Sequence, residues 1–163
     1  MTIAFVLALA AAAPANPPPA CAAPEYRQFD FWVGKWDVFD ARTGAPAGAS
    51  AIESLYGGCA IRENWSEPGF AGGSLNIFAE GKWHQTWVDQ SGARHEFEGG
   101  FSNGRMILVA RTHPPQPLDK TVLLRMTFTP GSDGTVRQFS DYSKDDGGTW
   151  NFRYDYIYKP AAP

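Results

Sequence analysis

From residue 74 to residue 110 apolar and polar side chains alternate in short runs, and each run ends at a Gly, Asn or Ser. A period of two is that of a strand with one face buried and one face wet. Between residues 25 and 160 the chain falls into about ten such runs, with turn-forming Gly, Pro, Asn and Asp roughly every 8–15 residues, as in an antiparallel meander. No interval has room for a strand–helix–strand crossover. The pattern therefore predicts one all-β domain over 25–160, a single antiparallel up-and-down β-barrel of about ten strands.

The turns are explicit enough to set register. Gly57-Gly58, Glu80-Gly81 and Asn103-Gly104 suit two-residue hairpins, whose primed turns need the positive φ that Gly and Asn tolerate. The Glu80-Gly81 turn sets Phe78 opposite Trp83, Asn76 opposite Gln85 and Ser74 opposite Trp87 on one face, with Ile77, Lys82, His84 and Thr86 on the other. A three-residue turn at Gln90-Ser91-Gly92 then brings His95 across from Trp87 and Phe97 across from Gln85. The Asn103-Gly104 turn continues that face through Phe101, Met106, Leu108 and Ala110, leaving Ile107 and Arg111 outside. At Gly57-Gly58 the same arithmetic pairs Glu53 with Arg62 and groups Ile52, Ile61, Glu63 and Trp65 on the opposite face. Residues 149–159 alternate Trp150, Phe152, Tyr154, Tyr156 and Tyr158 against Asn151, Arg153 and Asp155. The aromatic face is expected to point inward throughout.

Composition narrows the class. With 163 residues, 44% of them hydrophobic, the chain suits one domain with a substantial core. A net charge of -3 and the lack of any Lys/Arg run argue against nucleic acid as a partner and against a membrane-surface footprint. Residues 3–13 form an apolar run too short to span a bilayer, followed by the small-x-small site Ala13-Pro14-Ala15, so residues 1–15 read as a signal peptide without a basic n-region. Residues 16–24 are a Pro/Ala-rich tether. Export to the periplasm or the extracellular space places Cys21 and Cys59 where a disulfide between them can form. Closing that loop of about 38 residues would add roughly 3–4 kcal/mol. Alternatives are a buried Cys59 with a loose Cys21 thiol, or a lipidated Cys21, against which Pro18 stands where such a signal needs an aliphatic residue.

Phe29-Asp30-Phe31-Trp32-Val33-Gly34-Lys35-Trp36 opens the domain, and its Gly34-x-Trp36 resembles the lipocalin signature. The stretches Gly58–Trp65, 74–77 and 83–89, ending in Val136-Arg137-Gln138, are similar to a bacterial family of secreted proteins without assigned activity, usually placed among the calycins. That resemblance covers nearly all of 29–158. It implies a closed meander around a ligand-sized cavity, with a Trp plugging one end beneath a helical turn, and it transfers no catalytic residues.

Ser143-Lys144-Asp145-Asp146-Gly147-Gly148-Thr149-Trp150 matches the S-x-D-x-G-x-T-W pattern of an Asp box. A propeller needs several such repeats and this chain has one, so the expected role is a hairpin brace, with Asp145 accepting backbone N–H bonds and Trp150 packed beneath. His84, His95 and His113 have no spacing that puts two on one metal, and the register sends His84 outward. No His follows His113, which argues against the haem-binding ten-stranded barrels that use a late His. No metal or other cofactor is expected.

The candidate site is the inward face. Trp65, Trp83 and Trp87 would grip the rings of a small, mostly apolar molecule, and Asn76, Gln85 and Glu63 would orient it, since buried amides need partners that a ligand or water can supply. Two other readings stand beside this one. Glu63 and His95 would act as an acid–base pair in an isomerase- or lyase-type step, or the domain would be a structural envelope interaction module marked by an exposed apolar patch. In a non-catalytic reading Glu63 sits at the barrel mouth or accepts a bond from a Trp N–H or from Arg137, and His95 is a rim residue.

Overall fold

The computed structural model describes residues 20–112 and 122–162. The segment 1–19, which carries the expected signal peptide and the first part of the tether, and His113 with its Pro-rich loop lie outside the described residues. Ten strands run in chain order: β1 (Gly34–Asp40), β2 (Pro46–Leu55), β3 (Ala60–Glu67), β4 (Phe70–Ala79), β5 (Lys82–Asp89), β6 (Arg94–Ser102), β7 (Arg105–Thr112), β8 (Val122–Pro130), β9 (Val136–Ser143) and β10 (Asn151–Pro160). Each pairs antiparallel with its sequence neighbours, and β1 pairs with β10 to close the barrel. Closure leaves no sheet edge exposed.

The register follows the turns. Phe78 faces Trp83, Asn76 faces Gln85, Ser74 faces Trp87, His95 faces Trp87, Phe97 faces Gln85 and Phe101 faces Met106. Glu53 faces Arg62, but ladder pairing ends at Leu55–Ala60 and a 3-10 turn, Tyr56–Gly58, occupies the connection. The connection is longer than a two-residue hairpin, and three consecutive residues in it, Tyr56, Gly57 and Gly58, take positive φ. Met106, Leu108 and Ala110 are buried and Arg111 is exposed, as alternation requires.

One expectation fails on β10. The ladder shifts between Phe152 and Tyr154, so Arg153 is the extra residue of a β-bulge. Alternation therefore holds only from Tyr154 onward. Phe152 lands on the outer surface beside Phe139 and under the Arg42 guanidinium, and Trp150 stacks on the Arg125 guanidinium, 3.8 Å from its ring centroid. The Asp box is the expected brace: the Asp145 carboxylate accepts from the Thr149 N–H at 2.8 Å and from the Thr149 hydroxyl at 2.7 Å.

The N-terminal segment closes one end of the barrel. Two 3-10 turns, Pro24–Arg27 and Asp30–Trp32, lie across it, and Phe29 and Trp32 are fully buried and stacked with centroids 4.9 Å apart. Trp36 is buried beneath them and its Nε1 donates to the Trp32 carbonyl at 2.9 Å. Gly34 allows the entry into β1, since a Cβ there would come within 3.3 Å of the Trp36 indole. A disulfide between Cys21 and Cys59 ties the start of the described chain to the β2–β3 connection at the same end. Residues 20–24 of the expected tether are thereby held against the domain.

Outside, His84 pairs with Glu98, and the Glu53–Arg62, Asp141–Arg125 and Asp155–Arg137 ion pairs cross neighbouring strands. Leu75, Ile77 and Val88 are exposed on β4 and β5, but Thr86 and His84 stand directly across from Leu75 and Ile77 and interrupt that surface.

Candidate functional site

At the end opposite the plug the barrel interior is not filled. A cavity of about 240 Å³ opens there, walled by Trp65, Trp87, Phe97 and the β10 tyrosines Tyr154, Tyr156 and Tyr158, with Gln85 and Gln138 among its polar lining. Trp65, Tyr156 and Tyr154 form a continuous stack: Trp65 lies 5.9 Å from Tyr156 at 14°, and Tyr156 lies 4.7 Å from Tyr154 at 17°.

Two glycines explain why these indoles line the cavity instead of plugging it. A Cβ on Gly48 of β2 would approach Trp65 Cζ2 to 2.7 Å, and one on Gly72 of β4 would approach Trp87 Cζ2 to 2.6 Å. The benzo edge of each indole therefore lies close against bare backbone of a neighbouring strand. Any side chain at either position would push the ring into the lumen.

Among the groups that line the cavity, Glu63 is a buried carboxyl. Ser50 on β2 donates to its Oε1 at 3.1 Å and Ser74 on β4 donates to its Oε2 at 3.0 Å. Behind Ser74 the network has a fixed direction. Asn76 Nδ2 donates to the Ile61 carbonyl and to Ser74 Oγ, both at 3.1 Å, which orients the amide so that its Oδ1 accepts from Gln85 Nε2 at 2.7 Å. Because Ser74 Oγ already accepts from an N–H, its own proton points at Glu63. The bonds from Gln85 to Asn76, from Asn76 to Ser74 and from Ser74 to Glu63 thus run in one direction, ending on one carboxyl group. No ion pair reaches Glu63 among the described residues, so burial dominates over the two hydroxyl donors and pushes its pKa up to about 7.

A second network covers the opposite wall. Tyr158 donates to Gln138 Oε1 at 2.6 Å, and Gln138 Nε2 donates to the Tyr154 hydroxyl at 3.2 Å. Burial pushes the Tyr154 pKa up to about 12 and raises that of Tyr158 as well, so both phenols stay neutral. At the mouth, burial and then the Arg153 charge lower the pKa of His95, which keeps the imidazole neutral at pH 7. Burial opposes ionisation of Asp89 there, but bonds from Ser91 and the Trp87 Nε1–H outweigh it and hold its carboxyl below the ordinary value.

No family model matches this chain, and neither does any curated protein. Its site is therefore read from its own geometry.

Of the residues singled out from the sequence, Glu63, Trp65, Gln85, Trp87 and His95 line the cavity. Trp83 and Asn76 do not. Trp83 is 2% exposed and wedged against the plug, T-shaped to Phe29 at 5.6 Å, with its Nε1 donating to Gln28 at 3.2 Å. Asn76 is fully buried behind Ser74, and its amide finds partners in the protein itself. The expectation that both amides need a ligand or water is corrected on that point. Glu63 accepts from serine hydroxyls, not from a Trp N–H or from Arg137, which is engaged with Asp155 on the outside.

Sequence reasoning passed over Gln138, Tyr154, Tyr156 and Arg153 as site residues. The tyrosines were legible as an inward stripe, and Gln138 follows from the same alternation on β9. Arg153 carried no such signal, because the bulge that turns it to the cavity is created by the pairing of β9 with β10.

Proposed function

We propose that this protein binds a small molecule with an apolar ring or chain in the open half of its barrel. The observation that carries the reading is the cavity itself: the indoles of Trp65 and Trp87, accommodated against Gly48 and Gly72, share its lining with Glu63, Gln85 and Gln138 around space a side chain could have filled. Well-packed cores do not leave such space beside polar groups without a use for it. The disulfide supports export to an oxidising compartment, periplasmic or extracellular. The closed ten-strand meander with its plugged end supports the calycin-like family reading.

The test is native mass spectrometry of protein purified from its own host. A co-purifying molecule is expected, and it should be lost from the Trp65→Ala/Trp87→Ala double variant while the barrel remains folded. Retention of the adduct in that variant would place the ligand elsewhere.

One observation favours a catalytic second reading. Glu63, poised near neutrality and facing the same cavity as His95, has the pKa of a general acid or base. If the co-purified molecule is converted by the protein, Glu63→Gln should abolish conversion; undiminished conversion removes that reading.

A further inference from the structure

We infer that the molecule bound in the cavity is an organic cation, an amine or a quaternary ammonium attached to an apolar body, with Glu63 as its buried counter-ion. The inference rests on the ligand-binding reading above and adds the ligand's charge class.

Three observations converge on a cation. The first is the charge around the cavity: among the described residues Glu63, Glu67 and Asp89 face it with three carboxylates, against one guanidinium, Arg153. Asp89 is held ionised by its hydrogen bonds, and His95 contributes no compensating charge while neutral. The second is the wall. Aromatic faces present negative quadrupole density; Tyr156 is sandwiched within the Trp65–Tyr156–Tyr154 stack, and Trp87, which lines the cavity outside that stack, offers an ammonium group an attraction that Leu or Val would not. Arg153 already uses this property at the rim, with its guanidinium 5.1 Å from the Tyr154 ring centroid.

The third is the direction of the hydrogen-bond network. Donors from Ser50 and Ser74 converge on both oxygens of Glu63, and the amides of Asn76 and Gln85 are fixed in the orientation that keeps the Ser74 proton aimed there. That arrangement solvates a carboxylate, yet none of the described residues supplies the cation to balance it. A bound ammonium completes the set. An organic acid would instead meet Glu63 at the cavity floor, with Arg153 only at the solvent-exposed rim.

Binding should consequently be linked to protons. The groups around Glu63 are Ser50 from β2, Ser74 from β4, Tyr154 and Tyr158 from β10, with Arg153, His95, Asp89 and Glu67 towards the mouth, and burial brings the charge change of Glu63 itself to about pH 7. A cation beside it favours the ionised form, so affinity should rise as pH increases through about 7 and level off above.

The experiment is isothermal titration of the intact protein with three probes of one shape: phenethylamine, 2-phenylethanol and 3-phenylpropionate. At pH 8 phenethylamine should bind about tenfold or more tightly than 2-phenylethanol, with 3-phenylpropionate weakest. At pH 7 its heat should depend on the buffer's ionisation enthalpy, reporting proton release, whereas that of 2-phenylethanol should not. Glu63→Gln should bring the amine-to-alcohol ratio close to one, and Arg153→Ala should raise amine affinity by removing a like charge. Equal binding of amine and alcohol, or preference for the carboxylate, overturns the cation assignment and leaves the pocket standing. If none of the three binds, the pocket reading falls with it.

Discussion

Trp83 and Trp87 sit on the same strand, four residues apart and on the same face, yet they belong to two different kinds of protein interior. Trp83 lies under the N-terminal plug, where Phe29, Phe78 and Phe128 interlock with it and Trp32 and space is filled. Trp87 lies at the other end, close against Gly72, beside polar groups and a cavity. Alternation is identical at both positions. What differs is what the rest of the chain brings to each end: a helical turn carrying two large rings at one, and a Gly-relieved rim with a buried carboxyl at the other. Stability should therefore be concentrated at the plug and recognition at the mouth.

Substitutions can break or sharpen that division. The largest effect is expected from Trp32→Ala, which empties the centre of the plug and should lower unfolding free energy by about 3–5 kcal/mol in urea denaturation. If it costs no more than a mouth substitution, the plug is not the stabilising end. Next, replacing both cysteines by Ser should cost roughly 3–4 kcal/mol by releasing the Cys21–Cys59 constraint on the unfolded chain. The loss should appear under non-reducing conditions as a lower denaturation midpoint than wild type.

Glu63 should give the mouth an inverted pH signature. In the unfolded chain it ionises near 4.5, and in the barrel near 7, so between those values the folded state holds a proton that the unfolded state has released. The unfolded state binds fewer protons there, and stability must fall as pH rises. The contribution is fully present below about 4.5 and lost above about 7, a change on the order of 3 kcal/mol. A salt-bridged carboxylate would give the opposite slope. In Glu63→Gln this component should vanish, and a wild-type-minus-variant difference that rises across the same interval would show that Glu63 is ionised when folded. Smallest is Trp87→Ala: its ring faces a cavity, so stability should drop by only about 1 kcal/mol while ligand binding is lost.

These contrasts also mark how far the sequence carried. The hairpin arithmetic placed Glu63, Trp65, Gln85 and Trp87 on one inward face, and Phe97, Met106 and Leu108 with them. It could not say how deep along the barrel axis each would lie relative to the plug, so Trp83 looked as available to a ligand as Trp87. Nor could it see that Asn76 and Gln85 bond to each other, because that depends on side-chain directions within a closed ladder. Arg153 was assigned to the outside because a period-two rule counts residues and a bulge adds one.

Strand identity, register and the inward aromatic face came from local causes: turn residues with positive φ and a strict two-residue period, both written within a few positions of where they act. Which end of the lumen is sealed, which indole lies against a glycine, and which carboxyl is left without a counter-charge among the described residues depend on residues tens of positions apart meeting after closure. Those are properties of the barrel's third dimension, where Gly48 faces the Trp65 ring and Ser50 and Ser74 meet at Glu63.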